Sequence, residues 1–456
     1  MKRAFISLFL FIALASVAVG QNANDWFITV WDMWKYTDRK NSPSTTIAFP
    51  GIGSNYRIDW ENVNDTTKKG TVTGVSSSVG TPYYLNVPSR GTYRLKVYKD
   101  VGTFTGFKHS GNVNNFDFNR LIAVEQWGTT VWTELSGAFL LCKNMDVTAT
   151  DKPDLSSVTS LNGMFHRCEN LVNSNGSMKN WATGNITKMN GMFQDALKFN
   201  QPIGNWNTSS VVDMQYVFSG ASSFNQSLNW NTANVTDMAY MFQNATAFNK
   251  PFGSKWTTAN VLYMRGMFQG ATSFNQNISN WNTGKVTIME YMFRNATSFN
   301  KNINNWNTLM VTDMAGMFQR ATSFNQPLNN WKTEKVTNMM MMFQDAIKFN
   351  QPLNNWKTEK VTNMWAMFKG ATAFNQPLNS WNTTKVFDMA EMFKGATAFN
   401  QPLNGFEIND ITIMSDMIKG CSMSCENLSN TLESWATQAT TLGKNNINLG
   451  DNFYYT

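Results

Sequence analysis

Few residues in this chain have the chemistry of a catalytic or metal-binding site. Its 456 residues include two histidines, His109 and His166, and four cysteines. A catalytic triad or a zinc site of several histidines needs such side chains to converge, yet these two occupy distant places in the repeat described below. No pair of acids and no nucleophile with a neighbouring base stands out. The sequence therefore predicts no enzyme, no cofactor and no metal site.

The four cysteines form two pairs. Cys142 and Cys168 occupy the same register of neighbouring repeats, where stacked equivalents lie about 5 Å apart, within disulfide reach. They are either a disulfide or two buried thiols in place of alanine, because cysteine also behaves as a small apolar residue. Cys421 and Cys425 are four residues apart near the end of the repeats, where a disulfide would cap them. An exported chain can oxidise such pairs.

Aromatic side chains offer the other candidate chemistry, which is binding. Variable positions of the repeat are expected to face outward, and five aromatic residues at such positions form the candidate binding surface: Tyr216, Tyr240, Tyr263, Tyr291 and Trp365. A separate tryptophan recurs once in nearly every repeat. Its regular place favours packing in the core or in a turn, with an exposed platform for sugar rings as the alternative.

A repeat of about 25 residues must position all these side chains. Its signature is W-x-T-x-x-V-T-x-M-x-x-M-F-x-x-A-x-x-F-N-Q, and in degraded form it extends over residues 135–430 as about 11–12 units. The tryptophans mark the register at Trp181, Trp206, Trp230, Trp256, Trp281, Trp306, Trp331, Trp356 and Trp381.

Two segments of the repeat suggest local structure. V-T-x-M-x-x-M-F has apolar residues at i, i+3, i+6 and i+7, which predicts a short helical or 3₁₀ stretch. F-N-Q-x-[IL] alternates as a short strand would, and prolines inside it limit its length. One unit cannot bury its own apolar face, so stacked units in a solenoid are expected. Recurring asparagines such as Asn200 and Asn225 are expected to form a hydrogen-bonded ladder.

The pattern M-F-x-x-[AC]-x-x-[FL] with V-T-x-M resembles the repeats of BspA-type leucine-rich-repeat surface proteins. It is also similar to a repeat of uncharacterised function in mycoplasma surface proteins. The resemblance covers about 300 residues, with Ala in place of Cys in the central units and Phe in place of Leu. It implies right-handed, leucine-rich-repeat-like coils, each with a short parallel strand and a short helix or 3₁₀ turn. It also implies adhesive or interaction roles at a bacterial or protist surface.

The flanks of the array lack the repeat. Residues 21–105 hold short alternating runs bounded by turns, which predict a small antiparallel β-sandwich. Its last run, G-T-Y-R-L-K-V, resembles the final strand of PKD-like domains. Residues 106–134 are expected to form a junction and an N-terminal cap, and residues 431–456 a C-terminal cap, because open ends of an array need cover.

The first 20 residues have the pattern of a secretory signal peptide. Lys2 and Arg3 precede an apolar run from Phe5 to Leu14, and small residues follow. A membrane anchor is the alternative. No later run reaches the 18 apolar residues of a membrane span, so no transmembrane segment is expected after cleavage. The protein is thus predicted to be secreted or located at the cell surface.

These observations favour an interaction protein. Removal of Lys2 and Arg3 leaves 35 basic and 30 acidic residues, a net charge of +5. The lysines are spread along the repeats, so nucleic-acid binding is not expected. We expect a secreted or cell-surface adhesion protein that binds an extracellular protein or polysaccharide through the repeat surface. The alternative is a structural surface or matrix component that self-associates and has no dedicated ligand.

Overall fold

Strands dominate the N-terminal part of the protein. The structure is a computed structural model that describes residues 22–35, 45–109, 117–408 and 413–441, so the expected signal peptide at 1–20 lies outside the described residues. The strands are β1 Phe27–Asp32, β2 Thr46–Phe49, β3 Gly51–Asn62, β4 Lys69–Ser77, β5 Tyr83–Asn86, β6 Thr92–Tyr98, β7 Thr103–Phe107, β8 Leu121–Gln126 and β9 Asp146–Val147.

These strands form two sheets. The larger sheet has the order β4-β3-β6-β1-β8-β9, with β7 also paired to β3, and β2 pairs with β5 in a separate sheet. The alternation along β6 explains its place, because Tyr93, Leu95 and Val97 are fully buried while the residues between them are half-exposed. The larger sheet continues past residue 105 into β8 and β9, and β9 joins it in parallel.

The prediction of a leucine-rich-repeat-like solenoid is wrong. Between residues 148 and 408 the described chain has one 3₁₀ helix, Ser177–Asn180, and its extended pairing consists of isolated single-residue bridges. The α-helix Cys425–Thr441, named α1, is the single one among the described residues. No helix in this described part has the length and apolar content that a membrane crossing requires.

Left-handed backbone explains why the expected helical segment is a chain of turns. Each unit is named by its first conserved methionine, and the second residue after it takes a positive φ, as at Gly316 with 55° and Ala366 with 53°. A right-handed helix cannot continue through such a residue. Instead, successive three-residue bonds form, and the Met317 N–H donates to the Met314 carbonyl at 3.2 Å.

Within the turn segment of each unit, the backbone hydrogen bonds to the next unit run in one direction. Just before this segment a bond runs the other way, as from the Thr337 N–H to the Thr312 carbonyl at 2.9 Å. In the unit of Met339, the N–H groups of Met339, Met341, Phe343 and Asp345 donate to carbonyls of the next unit at 2.7–3.0 Å. Every second peptide in this segment therefore points its N–H toward the C-terminal end of the array. The N-terminal end correspondingly presents carbonyl groups.

Aromatic columns fill the space between the turns of neighbouring units. Phe343 stacks on Phe368 of the next unit at 5.5 Å and on Phe349 of its own unit at 4.0 Å. The rings of Trp331 and Trp356 lie parallel, 6.4 Å apart. The repeat tryptophans are at most 8% exposed, so the alternative of a tryptophan platform for sugars is excluded and their place is the core.

Polar side chains complete the contacts between units. The Asn325 Oδ1 atom accepts from the N–H of Asn350 and from the side-chain amide of Gln351, each at 3.0 Å. This confirms the predicted asparagine ladder. The buried Thr333 hydroxyl donates to the Lys357 carbonyl at 2.8 Å and accepts from the Lys357 N–H at 2.7 Å. The side chain thus replaces a backbone partner that the turn leaves out.

The N-terminal sheet covers the carbonyl end of the array. The Phe107 N–H donates to the Glu134 carbonyl at 3.2 Å, and the fully buried His109 contacts the Ala138 carbonyl through Nδ1 at 2.6 Å. Because a carbonyl can only accept, Nδ1 carries the proton. Burial lowers the pKa of His109 to about 4, so the imidazole is neutral at pH 7.

Helix α1 covers part of the other end. Its apolar positions Leu428, Leu432 and Trp435 follow helical spacing, and Trp435 is fully buried. The Thr431 hydroxyl accepts the Leu403 N–H at 2.9 Å. The helix ends at Thr441, and residues 442–456 of the expected cap lie outside the described residues.

The threonine bridge predicts a large cost for losing one hydroxyl. Thr333→Val leaves the N–H and carbonyl of Lys357 without their buried partner, so we expect the free energy of unfolding to fall by about 1–3 kcal/mol. Thr337→Val is the matched control, because this exposed hydroxyl makes a single bond, to the Thr312 carbonyl at 3.2 Å. Its effect should stay within about 0.5 kcal/mol. Urea unfolding of both variants measures the difference, and equal losses would contradict the bridge.

His109 predicts a pH-dependent stability. Its pKa is about 4 in the folded protein and 6.5 in an ordinary setting, so the unfolded chain takes up the proton first. The free energy of unfolding should be unaffected above pH 6.5 and fall by up to about 3 kcal/mol as the pH drops to 4. His109→Gln removes this titration and leaves His166 unchanged. Urea unfolding at several pH values should show the two proteins converging at low pH; parallel profiles would exclude this role.

Candidate binding surface

Three of the five predicted aromatic residues share one register. Tyr216, Tyr240 and Tyr291 each follow the first methionine of their unit by two residues and take a left-handed backbone with φ of 56–57°. Tyr263 lies directly before Met264, where it is 43% exposed. The structure therefore brings four tyrosines from four consecutive units onto one side of the array.

Trp365 lies apart from this group. It directly follows the first methionine of the unit that is three units beyond that of Tyr291, and its N–H donates to Asn363 Oδ1 at 2.8 Å. Its side chain is half-buried. The prediction had put Trp365 on the same surface as the tyrosines, and the structure places it on the same side of the array but not beside them.

The left-handed tyrosines pack along the array. The rings of Tyr216 and Tyr240 stack at 4.9 Å with 13° between their planes. The other side of the Tyr240 ring lies against Gly266, where a Cβ atom would collide with two ring carbons. Tyr291 lies against Gly316 in the same way. Glycine at these two positions is therefore required for the ring of the preceding unit to lie flat.

Charged side chains adjoin the rings. Arg265 forms an ion pair with Glu290, and the Arg294 guanidinium lies 5.2 Å from the centre of the Tyr291 ring. Burial raises the pKa of Glu290, Arg265 opposes this rise and Asp313 adds to it. Sequence reasoning missed Arg265 and Glu290, although both directly follow the first methionine of their unit, the register that had singled out Trp365.

We name this group the tyrosine surface, and it consists of Tyr216, Tyr240, Tyr263, Arg265, Glu290 and Tyr291. Burial also raises the pKa of Tyr240 and of Tyr291, so both hydroxyls are neutral at pH 7 and act as hydrogen-bond donors and acceptors. The arrangement offers aromatic edges, hydroxyl groups and one ion pair. Such groups support recognition and not proton-transfer chemistry.

The carboxylates that recur beside this surface are turn-forming groups. Asp237 Oδ1 accepts the Ala239 N–H at 2.8 Å, and Asp313 Oδ1 accepts the Ala315 N–H at 2.8 Å. Burial raises the pKa of Asp237, and the neighbouring Asp213 adds to the effect. Among the described residues no group of three or more metal-ligating side chains converges.

The four cysteines differ in their burial and hydrogen bonding. All four are thiols in the structure, and Cys142 and Cys168 are fully buried. The Cys168 thiol donates to the Phe139 carbonyl at 3.0 Å, and burial raises its pKa well above the usual value. The Cys421 thiol donates to the Ile418 carbonyl at 2.9 Å, while Cys425 is exposed. A disulfide in either pair stays a prediction.

The repeats are the part of the chain with known relatives. The model of the family described as Mycoplasma protein of unknown function, DUF285, matches residues 133–254, 252–350 and 326–435, which together are more than half of the chain. The chain belongs to this family. No curated protein and no solved structure matches it. The three tandem matches support the repeat character of this part of the chain.

Packing of Tyr240 on Gly266 predicts a specific response to a methyl group. Gly266→Ala pushes the ring out of place and adds left-handed strain, so we expect a loss of about 1–2 kcal/mol from strain alone and a further loss from the displaced ring. Gly191→Ala is the matched control, because it has the same register and a φ of 60°, with only a flexible Gln194 side chain nearby. Urea unfolding and near-ultraviolet circular dichroism of both variants test this, and identical tyrosine signals would contradict it.

Proposed function

We propose that this protein is a secreted or cell-surface interaction protein that binds an extracellular protein through the tyrosine surface. The observation that carries the proposal is the row of tyrosines in a left-handed conformation. At the same register three other units have glycine, Gly191, Gly266 and Gly316, which adopts this conformation without cost. Four more units have a different side chain there, at Met341, Ala366, Glu391 and Asp416. A non-glycine residue there costs about 1–2 kcal/mol, so the backbone conformation does not itself require a tyrosine.

The composition and rigidity of the surface also support protein recognition. Tyrosine and arginine are enriched at the centres of protein interfaces and in their energetic hot spots. Rings already held by Tyr216–Tyr240 stacking and by glycine contacts lose little freedom on binding.

A protein partner fits this surface better than a polysaccharide. Sugar rings stack on open aromatic faces, whereas the Tyr240 ring has Tyr216 on one face and Gly266 on the other. The Tyr240 hydroxyl and ring edge remain for contact. These groups suit hydrogen bonding and edge contacts to protein side chains.

The proposal also covers the location of the protein and the families to which its two parts are related. Residues 1–20 have the signal-peptide pattern, and the family takes its description from mycoplasma proteins. We propose that the repeats are related to those of BspA-type surface proteins and that residues 21–105 are a PKD-like domain. The motif M-F-x-x-[AC]-x-x-[FL] and the antiparallel strands β1, β3, β4 and β6 support these two assignments.

Self-association is the alternative, and the C-terminal end of the array favours it. The N–H groups of Asp416, Ile418 and Gly420 donate to no described acceptor. A second copy would need a matching row of carbonyls, but the first unit of the array already uses those of Glu134 and Ala138. Light scattering over a concentration series distinguishes the alternatives, because end-to-end assembly requires growth in mass with concentration.

Substitution of the tyrosine surface tests the first proposal. Tyr240→Ser, Tyr263→Ser and Arg265→Ser together should raise the Kd for a protein ligand at least about tenfold, because each hot-spot side chain contributes about 1–2 kcal/mol or more. The ligand is chosen from immobilised extracellular matrix proteins, with polysaccharides in the same panel, and Kd is measured by biolayer interferometry.

The control for this test lies on exposed positions of another register. Lys332→Ser and Lys357→Ser change two exposed side chains that each follow a core tryptophan. This variant should bind as the unsubstituted protein does. The proposal fails if no panel protein binds the folded chain, or if the two variants weaken binding equally.

A further inference from the structure

We propose that a groove on another part of the array is a binding site for a neutral saccharide. The groove has a volume of about 540 Å³, within the range of roughly 300–1,000 Å³ typical of small-ligand sites. It lies where two consecutive units have an asparagine, Asn277 or Asn302, in place of the common proline, and it is separate from the tyrosine surface. We name it the asparagine groove, and it is lined by Asn277, Lys301, Asn302, Asn304, Asn305 and Asn330.

Two asparagines make this part of the array different. Asn277 and Asn302 lie 13 residues after the first methionine of their units. The same register has proline in six other units, namely Pro202, Pro251, Pro327, Pro352, Pro377 and Pro402. Two consecutive units therefore have an amide where a proline ring usually covers the backbone.

Hydrogen bonds fix the amides in place. Asn277 Oδ1 accepts the Ser279 N–H at 3.0 Å, and Asn302 Oδ1 accepts the Asn304 N–H at 2.9 Å. The amide N–H₂ group of each asparagine then has no described partner. Because one end of each amide is held by backbone, the donors are already ordered before a ligand arrives.

Two further asparagines of the groove supply one acceptor and one donor. Asn305 uses its N–H₂ group to donate to the Ser279 carbonyl at 2.8 Å, which leaves its Oδ1 atom for a ligand. Asn304 Oδ1 accepts the Asn330 N–H at 3.0 Å, which leaves its N–H₂ group. The groove therefore offers N–H₂ donors from Asn277, Asn302 and Asn304 and a carbonyl acceptor from Asn305.

This lining selects a hydroxyl-rich, uncharged ligand. A hydroxyl both donates and accepts, as an array of amide N–H₂ and C=O groups requires. Among the lining residues Lys301 is the only charged one, so neither a polyanion nor a cation finds the paired charges it needs. The groove has no aromatic or apolar side chain in its lining, which disfavours an apolar ligand. A neutral saccharide meets all these conditions.

The test uses the full-length chain and four neutral trisaccharides. Maltotriose, cellotriose, mannotriose and triacetylchitotriose are titrated by saturation-transfer NMR and calorimetry, with trigalacturonate as an anionic comparison. We expect at least one neutral probe to bind with a Kd on the order of 1 mM, since the contacts are polar. Preference for trigalacturonate, or no binding of any neutral probe, overturns the proposal.

Matched variants locate the binding. Asn277→Ala with Asn302→Ala should weaken binding at least about tenfold. Asn354→Ala with Asn355→Ala changes the asparagines beside Pro352 that correspond to Asn304 and Asn305, and it should leave binding unchanged. Asn277→Pro with Asn302→Pro restores the common residue and loses no backbone bond, because neither N–H donates to a described acceptor. Equal binding by wild type and the alanine pair overturns the site.

The two proposals fail independently. The variant with Tyr240→Ser, Tyr263→Ser and Arg265→Ser should keep its saccharide affinity, and the groove variants should keep their affinity for a protein ligand. If the tyrosine variant loses saccharide binding as well, the saccharide is bound at the tyrosine surface and the groove is excluded.

Discussion

The repeat array depends on left-handed backbone at two positions of every unit. In the unit of Met364 these are Ala366, with φ of 53°, and Gly370, with φ of 67°. Each reverses the helical trend, so that alternate N–H groups point out of the turn toward the next unit. Without the reversal those groups would bond within the segment and neighbouring units would lack a backbone connection. Strain of about 1–2 kcal/mol at a non-glycine position is thus offset by several inter-unit bonds.

Bonding in one direction within the turn segments makes the two ends of the array chemically different. These segments present carbonyl groups at the N-terminal end and N–H groups at the C-terminal end. The carbonyl end is covered by β7 and by His109, a side chain that is neutral because it is buried. The other end is covered partly by α1, which contacts Leu403 but leaves the N–H of Ile418 open. A stack with one closed end resists unlimited end-to-end growth.

Both proposed binding sites lie where units depart from the commoner residues of the repeat. The Phe and Trp side chains of the core columns stack on their equivalents in adjacent units, and the Met side chains are buried with them. The left-handed tyrosines lie at a register where other units have Gly, Met, Ala, Glu or Asp, and the asparagine groove lies where Asn replaces proline. Tyr240 and Asn302 illustrate the common principle: each replaces the residue that the local backbone would accept at least cost, and each exposes hydrogen-bonding groups.

The candidate sites were partly readable before the fold was known. Register alone selected Tyr216, Tyr240, Tyr263 and Tyr291 as variable positions, and the structure places all four on consecutive units. The register did not single out Arg265 or Glu290, because their ion pair joins two units and is visible only in the folded array. The register did not reveal the groove either, because the shape of a groove depends on how Asn277 and Asn302 lie next to each other in adjacent units.

The sequence by itself determined the repeat, its register, its core columns and the asparagine ladder, because a 25-residue period records which side chains must meet their equivalents. Only the tertiary structure decided the form of each unit. Apolar spacing of i, i+3, i+6 and i+7 is shared by a helix and by consecutive turns, and it gives no information about the sign of φ at Ala366. The leucine-rich-repeat expectation failed there, since bonds between units stabilise a backbone that local spacing cannot distinguish from a helix.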